Sequence, residues 1–217
     1  MIRGVLFDLD GTLADTEPIQ WQAYRRALLP FGVDVGVDEY QREWIAREGG
    51  AEYACRTYGL PIDAAELRAR KNALYRELIA AGVAARPGAR AVLERLRPAY
   101  RLGLATNTVR TDADVVLASV GVRDLLDGIV VREDYARAKP APDAYLAVAR
   151  RLGLAPSECV VVEDALRGVE AGRDAGCLVI AIPNELTRDQ DFRHAVRRLS
   201  GLDELTVDLL QDLSRAG

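Results

Sequence analysis

Five short apolar runs, the first four each ending on a polar turn, constrain the fold of this chain more than any other feature. Residues 2–7 end at Asp8-Leu9-Asp10-Gly11, residues 101–105 at Thr106-Asn107, residues 128–131 at Arg132-Glu133-Asp134 and residues 159–162 at Glu163-Asp164, while residues 178–182 stop at Pro183. Runs of this length, bounded by turn-forming residues, read as buried strands rather than helices. Helix-like sequence or an insert separates each of the first four from the next, including 88–96, 112–120 and 142–152. The alternation predicts an α/β fold, a doubly wound parallel sheet with helices on both faces. Ligands of such sheets bind outside the carboxyl ends of the strands. Asp8, Asp10, Thr106, Asn107, Glu163 and Asp164 are therefore expected along one rim, although they lie far apart in sequence.

Residues 15–85 interrupt this pattern. They hold no convincing strand but several helical stretches, 18–29, 37–47, 51–58 and 64–81, punctuated by Pro30, Gly32, Gly49-Gly50 and Gly59-Leu60-Pro61. Trp21, Tyr24, Ala27 and Leu28 recur at helical spacing, so these helices must pack on one another. The expected product is a small helical cap inserted into a core made of residues 1–14 and 86–217, with Trp21, Trp44, Tyr24 and Tyr53 forming the cap's own interior. Residues from Thr187 onward read as a final helical, charged tail.

Composition removes several function classes. A chain of 217 residues buries a core without staples, and no stretch approaches the roughly 20 apolar residues that span a bilayer, so a soluble globular protein with no membrane partner is expected. MIRGVLFDLDG has two acids closing a short apolar run, which is wrong for a signal peptide, and a cytoplasmic location follows. Cys55, Cys159 and Cys177 are odd in number and form no CxxC pair, so they read as small buried hydrophobes. A net charge of −4 with both signs interspersed offers no basic face for nucleic acid. The one histidine, His194, lies in RDQDFRHAVRR and reads as a solvated helix residue, which leaves carboxylates, hydroxyls and lysine to carry any chemistry.

Phosphoryl transfer needs a nucleophile, an acid for the leaving group and positive charge against the equatorial oxygens. Asp8 and Asp10 stand two apart at a strand end and can face one site once the chain turns at Gly11. One can act as nucleophile and metal ligand, the other as acid and base. Asp164 arrives from a distant strand as a further oxygen ligand, and an all-oxygen set favours Mg2+. Lys139, before Pro140, brings an ammonium, and Thr106 and Asn107 bring a hydroxyl and an amide for the phosphoryl oxygens. Singly, these are a turn, a loop lysine and a helix cap. Together, in order, each at a strand end, they describe a site.

With these residues in place the sequence resembles the haloacid dehalogenase superfamily over essentially the whole chain. The resemblance rests on FDLDGTLADTE (7–17), Ala105-Thr106-Asn107-Thr108, Lys139-Pro140-Ala141-Pro142-Asp143, and Val162-Glu163-Asp164-Ala165 followed by RGVEAGRDAG. It implies Asp8 as nucleophile, Asp10 as acid and base, Thr106 and Lys139 as phosphoryl contacts, and Mg2+ held by Asp8, the Asp10 carbonyl and Asp164, with Glu163 in the first or second metal shell. The superfamily's dehalogenases lack the second aspartate, so Asp10 points to the phosphotransfer branch. Phosphonatases use a cap lysine as a Schiff base, for which Lys71 is the one cap candidate.

The nearest flavour is the β-phosphoglucomutase-like group with a helical cap, whose substrate-contacting segments Ala46-Arg47-Glu48 and Arg70-Lys71-Asn72 are similar to. Two departures count against a mutase: Gln20 lies where that group commonly has histidine, and Ala165 replaces the usual serine. The resemblance therefore implies a phosphatase of a small phosphorylated metabolite, a sugar phosphate above all. A sugar phosphomutase is the alternative, and a catalytically idle binding protein is a third reading. Arg47 and Lys71 are the cap candidates for an anionic substrate, residues 14–17 and 84–88 are the expected hinges of cap closure, and a monomer is the default assembly.

Overall fold

The computed structural model describes residues 1–45 and 50–216. Six strands, β1 (Gly4–Phe7), β2 (Arg101–Ala105), β3 (Gly128–Val130), β4 (Cys159–Glu163), β5 (Leu178–Ala181) and β6 (Arg197–Arg198), form one sheet in the order β3-β2-β1-β4-β5-β6. All five pairings are parallel, with Phe7 opposite both Leu104 and Val162. This is the doubly wound sheet that the alternating runs predict, and β1 at its centre brings Asp8 to the middle of the carboxyl rim.

Side chains alternate between two cores, as the period of a strand requires. Val5, Phe7, Leu102, Leu104, Val160 and Val162 face a layer built by α5 (Ala89–Leu96), α6 (Arg110–Val120) and α9 (Val207–Ala216). Leu6, Val130, Val161 and Val179 face α7 (Asp143–Leu152) and α8 (Leu166–Asp174) on the other side. The approach of α7 depends on a missing side chain: a Cβ at Gly103 would lie 2.7 Å from Val148 Cγ2 and 3.0 Å from Leu6 Cδ2.

Between β1 and α5 lie α1 (Glu17–Leu28), α2 (Val37–Glu39) running into a wide π-type turn over Tyr40–Ile45, α3 (Gly50–Tyr58) and α4 (Ala64–Ala80). They enclose a separate apolar cluster of Leu28, Val35, Tyr40, Trp44 and Leu67. Tyr24, Trp44 and Tyr53 belong to a chain of ring contacts, with Tyr24 and Trp44 centroids 4.7 Å apart and steeply tilted. Asp63 caps α4 by accepting from the Glu66 amide at 2.8 Å. The two connections to the rest of the chain run side by side, Asp15 N–H donating to Ala84 O at 2.8 Å and Arg86 N–H to Leu13 O at 2.9 Å.

The tail differs from its expected form. Residues from Thr187 contain turns, the edge strand β6 and a 3-10 turn at Leu202–Glu204 before α9, because Val196 and Leu199 amides donate to Val179 and Ala181 carbonyls of β5. His194 is exposed as expected, but in a turn rather than a helix. Cys159 and Cys177 are buried, Cys55 is partly buried, and all three are free thiols. No helix among the described residues is long and apolar enough to cross a membrane.

Candidate active site

The strand ends surround a cavity of about 500 Å³ between the carboxyl rim and the inserted helices. Its floor gathers Asp8, Asp10, Thr106, Lys139, Glu163 and Asp164, each buried apart from the half-buried Asp10. The turn after β1 makes this possible. Gly11 has φ 84°, and a Cβ there would lie 2.7 Å from Asp164 Cγ, so glycine both permits the turn and leaves room for the second acidic strand end.

Lys139 lies at the centre. Its Nζ donates towards Asp8 Oδ1 at 2.6 Å, Glu163 Oε1 at 2.7 Å, Ala105 O at 2.8 Å and Tyr145 Oη at 2.9 Å. Burial disfavours its charge, but the two carboxylates more than reverse this and hold its pKa above the ordinary lysine value. Burial pushes Asp8 up to about 8; the ammonium pulls it down, and Glu163 and Asp10 push it up again. Asp164 is raised by burial and by Glu163 and Asp8. Its oxygens accept from Asn184 Nδ2 at 2.7 Å and Thr12 Oγ1 at 3.3 Å.

Asp8, Glu163 and Asp164 each turn one carboxylate oxygen to within 4.8 Å of the others. Three carboxylates face one ammonium, so the ionised floor keeps excess negative charge that a divalent cation would neutralise. The donors are all oxygen, which suits a hard ion. Asp10 is not part of that oxygen cluster. Its Oδ1 accepts from Thr16 Oγ1 at 2.9 Å, and its Oδ2 from Thr106 Oγ1 at 3.0 Å and Thr108 Oγ1 at 2.6 Å.

Asn107 lines the cavity and also holds the backbone at Lys139. Its Oδ1 accepts from the Lys139 amide at 3.0 Å and the Tyr135 hydroxyl at 2.8 Å, and its Nδ2 donates to Lys139 O at 3.4 Å. These bonds clasp the backbone that carries Lys139, and Nδ2, with two hydrogens, keeps one for the cavity that Asn107 lines.

The roof comes from the inserted helices. Lys71 is 8% exposed, with Nζ 4.9 Å from the Tyr75 ring centroid and 5.1 Å from that of Tyr24, and burial lowers its pKa to about 8. Glu17, Trp44 and Tyr75 also line the cavity, and among the described residues Glu17 Oε2, Trp44 Nε1 and Tyr75 Oη are buried without a hydrogen-bond partner. Burial raises the Glu17 pKa. Arg47 lies outside the described residues. Arg167, from the first turn of α8, is exposed and lines the cavity.

Sequence reasoning missed Glu17, Tyr75, Thr108, Tyr145 and Arg167. Glu17 stood inside the quoted FDLDGTLADTE, and Arg167 three residues beyond Asp164 on a helix that starts at the rim, so both carried a positional signal. Tyr75 and Tyr145 carried none, since a tyrosine at a buried helical position reads as core.

A model of the haloacid dehalogenase-like hydrolases matches residues 2–176. The chain is 33% identical to protein CbbY of Rhodobacter capsulatus, over 98% of this chain and 99% of that protein. It is 30% identical to the fructose-1-phosphate phosphatase YqaB of Escherichia coli, over 80% and 92% of the two chains. The crystal structure of an Asp-to-Asn mutant of CbbY from Rhodobacter sphaeroides in complex with xylulose-(1,5)bisphosphate superposes with a TM-score of 0.78 at 31% identity, covering 94% of this chain and 96% of that one.

Proposed function

The chain belongs to the haloacid dehalogenase-like hydrolases, and on that premise we propose that it is a magnesium-dependent phosphatase of a small sugar phosphate, acting through a phosphorylated Asp8. The observation that carries this reading is the convergence of Asp8, Glu163, Asp164 and Lys139, from three separate stretches of chain, on the floor of one cavity.

Asp8 and Asp164, with Glu163 beside them, would hold Mg2+, and Asp10 would join through its main-chain carbonyl, since its carboxylate is engaged by three threonines. The ion would supply charge neutralisation to carboxylate and phosphoryl oxygens alike. A carboxylate oxygen of Asp8 attacks phosphorus as the ester P–O bond breaks, and Asp10 passes a proton to the departing alcohol oxygen. Asp10 then takes a proton from the water that attacks the aspartyl phosphorus, which releases inorganic phosphate and restores Asp8. Threonine hydroxyls both donate and accept, so the Thr16–Thr106–Thr108 cradle holds Asp10 through both protonation states. The Lys139 ammonium, 2.6 Å from Asp8, faces the charge on the transferring group.

The roof supports a polyhydroxylated substrate. Glu17 Oε2 is an acceptor, and Trp44 Nε1 and Tyr75 Oη are donors, none of them with a hydrogen-bond partner among the described residues, and a ligand can satisfy them. A fructose phosphate and a xylulose bisphosphate are the sugars named for its relatives. Gln20 lines the cavity where a mutase commonly has histidine, which favours hydrolysis over phosphate return to the sugar. Residues 15–85 act as the cap, closing on the paired connections at Ala14 and Ala85.

Purified protein incubated with Mg2+ and a panel of phosphate esters is expected to release phosphate, fastest from sugar phosphates. Release no greater than that of an Asp8→Asn variant defeats the reading.

A further inference from the structure

Lys139 is held by a residue that never reaches the cavity. Four acceptors lie within 2.9 Å of its Nζ, namely Asp8 Oδ1, Glu163 Oε1, Ala105 O and Tyr145 Oη. An ammonium carries three hydrogens, so the acceptors compete, and the outcome fixes where the positive charge sits. Tyr145 is fully buried on α7, packed in the core beside Val148. Its hydroxyl also donates to Glu163 Oε1 at 2.6 Å, and its ring centroid lies 4.4 Å from Lys139 Nζ. Glu163 itself cannot shift freely. Its Oε2 accepts from the Asp164 amide at 3.2 Å, and the space of its carboxylate is the space a Cβ at Gly168 would fill.

We infer that Tyr145 is a positioning residue for the reaction: its hydroxyl, shared between Lys139 and Glu163, keeps the ammonium against Asp8. A hydroxyl proton already on Glu163 Oε1 weakens that oxygen's claim on the ammonium. Remove it, and a buried carboxylate oxygen is short of a donor. The donor that remains is Lys139 Nζ, already at 2.7 Å, and that oxygen's claim on it strengthens. The ammonium then settles towards Glu163 and away from Asp8, where charge develops on the transferring phosphoryl group.

This rests on the phosphatase reading, and the test separates the two. Phosphate release is measured for the unsubstituted chain, Tyr145→Phe, Lys139→Ala and the double variant, with thermal melting to confirm that each is folded. Tyr145→Phe is expected to lower kcat about tenfold while KM stays within about twofold, because Tyr145 touches no substrate. In the Lys139→Ala background the same substitution changes the residual rate by less than about twofold, the non-additivity of residues acting as one unit. Tyr145→Met, a flexible side chain that fills the same space, gives the same split and serves if the Phe variant does not fold. An unchanged kcat, or an equal loss with and without Lys139, overturns the inference while leaving the phosphatase reading intact. No phosphate release from the unsubstituted chain overturns both.

Discussion

Lys71 is a lysine that the fold holds at a cost, and replacing it should stabilise the protein while harming its activity. The side chain is 8% exposed, and among the described residues it has no hydrogen bond or ion pair, only the faces of Tyr24 and Tyr75. Burial lowers its pKa from 10.5 to about 8. At about 1.4 kcal/mol per pKa unit, that interval is a penalty of about 3 kcal/mol on the folded, charged form. The two tyrosine faces return about 1 kcal/mol. Lys71→Met, of similar length and without charge, is thus expected to gain about 2 kcal/mol at pH 7. For a chain of this size that is about 4–8 °C in Tm. Below pH 8 the lysine is protonated folded and unfolded, and the whole penalty is present. Between about 8 and 10.5 only the unfolded chain keeps the proton, so stability of the unsubstituted protein rises with pH and the advantage of Met shrinks. Melting curves of both proteins at pH 7 and 9.5 read this directly. The same variant should lose about 10- to 100-fold in kcat/KM, the value of one hydrogen bond from a charged donor to substrate. A variant that melts no higher than its parent at pH 7, or an advantage that does not shrink at high pH, refutes the reasoning.

Metal binding should be visible without turnover: Mg2+ at about 100 times its Kd adds about 2.7 kcal/mol of stability, and Asp164→Asn should abolish the rise in Tm as well as phosphate release. Gly168→Ala should cost about 1–3 kcal/mol by overpacking against the Glu163 carboxylate and lower kcat with it, measured by melting and by phosphate release. Thr108→Val removes the 2.6 Å donor to Asp10 and should lower kcat about tenfold with little change in KM; an unchanged kcat would show that Thr16 and Thr106 suffice.

What could be read from sequence follows the range of the interactions involved. Strand runs are local, and so are the turns that end them, which is why β1 to β5 and the acidic rim were legible. The edge strand β6 was not, because two arginines carry no apolar pattern and are recruited only by the backbone edge of the carboxyl half of β5. Asn107 reads as an amide for the ligand because it stands at a strand end; its bonds to the backbone at Lys139 are brought about by a crossover that spacing cannot measure. Tyr145 reads as core in sequence and is core in the fold, and only its hydroxyl's two partners distinguish it.

The unsatisfied polar atoms are unevenly divided, and this separates chemistry from choice of substrate. On the floor, Asp10 accepts from three hydroxyls, Asp164 from Thr12 and Asn184, and Lys139 has more acceptors than hydrogens. A site so fully bonded is organised before any ligand arrives, as transition-state stabilisation by fixed groups requires. Every buried side-chain atom without a partner among the described residues, Glu17 Oε2, Trp44 Nε1 and Tyr75 Oη, comes instead from the helices between β1 and α5. Leaving a buried polar atom unpaired costs about 1–3 kcal/mol. That cost is recovered only when a ligand of matching donors and acceptors fills the cavity. On the phosphatase reading proposed above, discrimination among esters belongs to the inserted helices, and substitutions there should reorder substrates without stopping the reaction assigned to the floor.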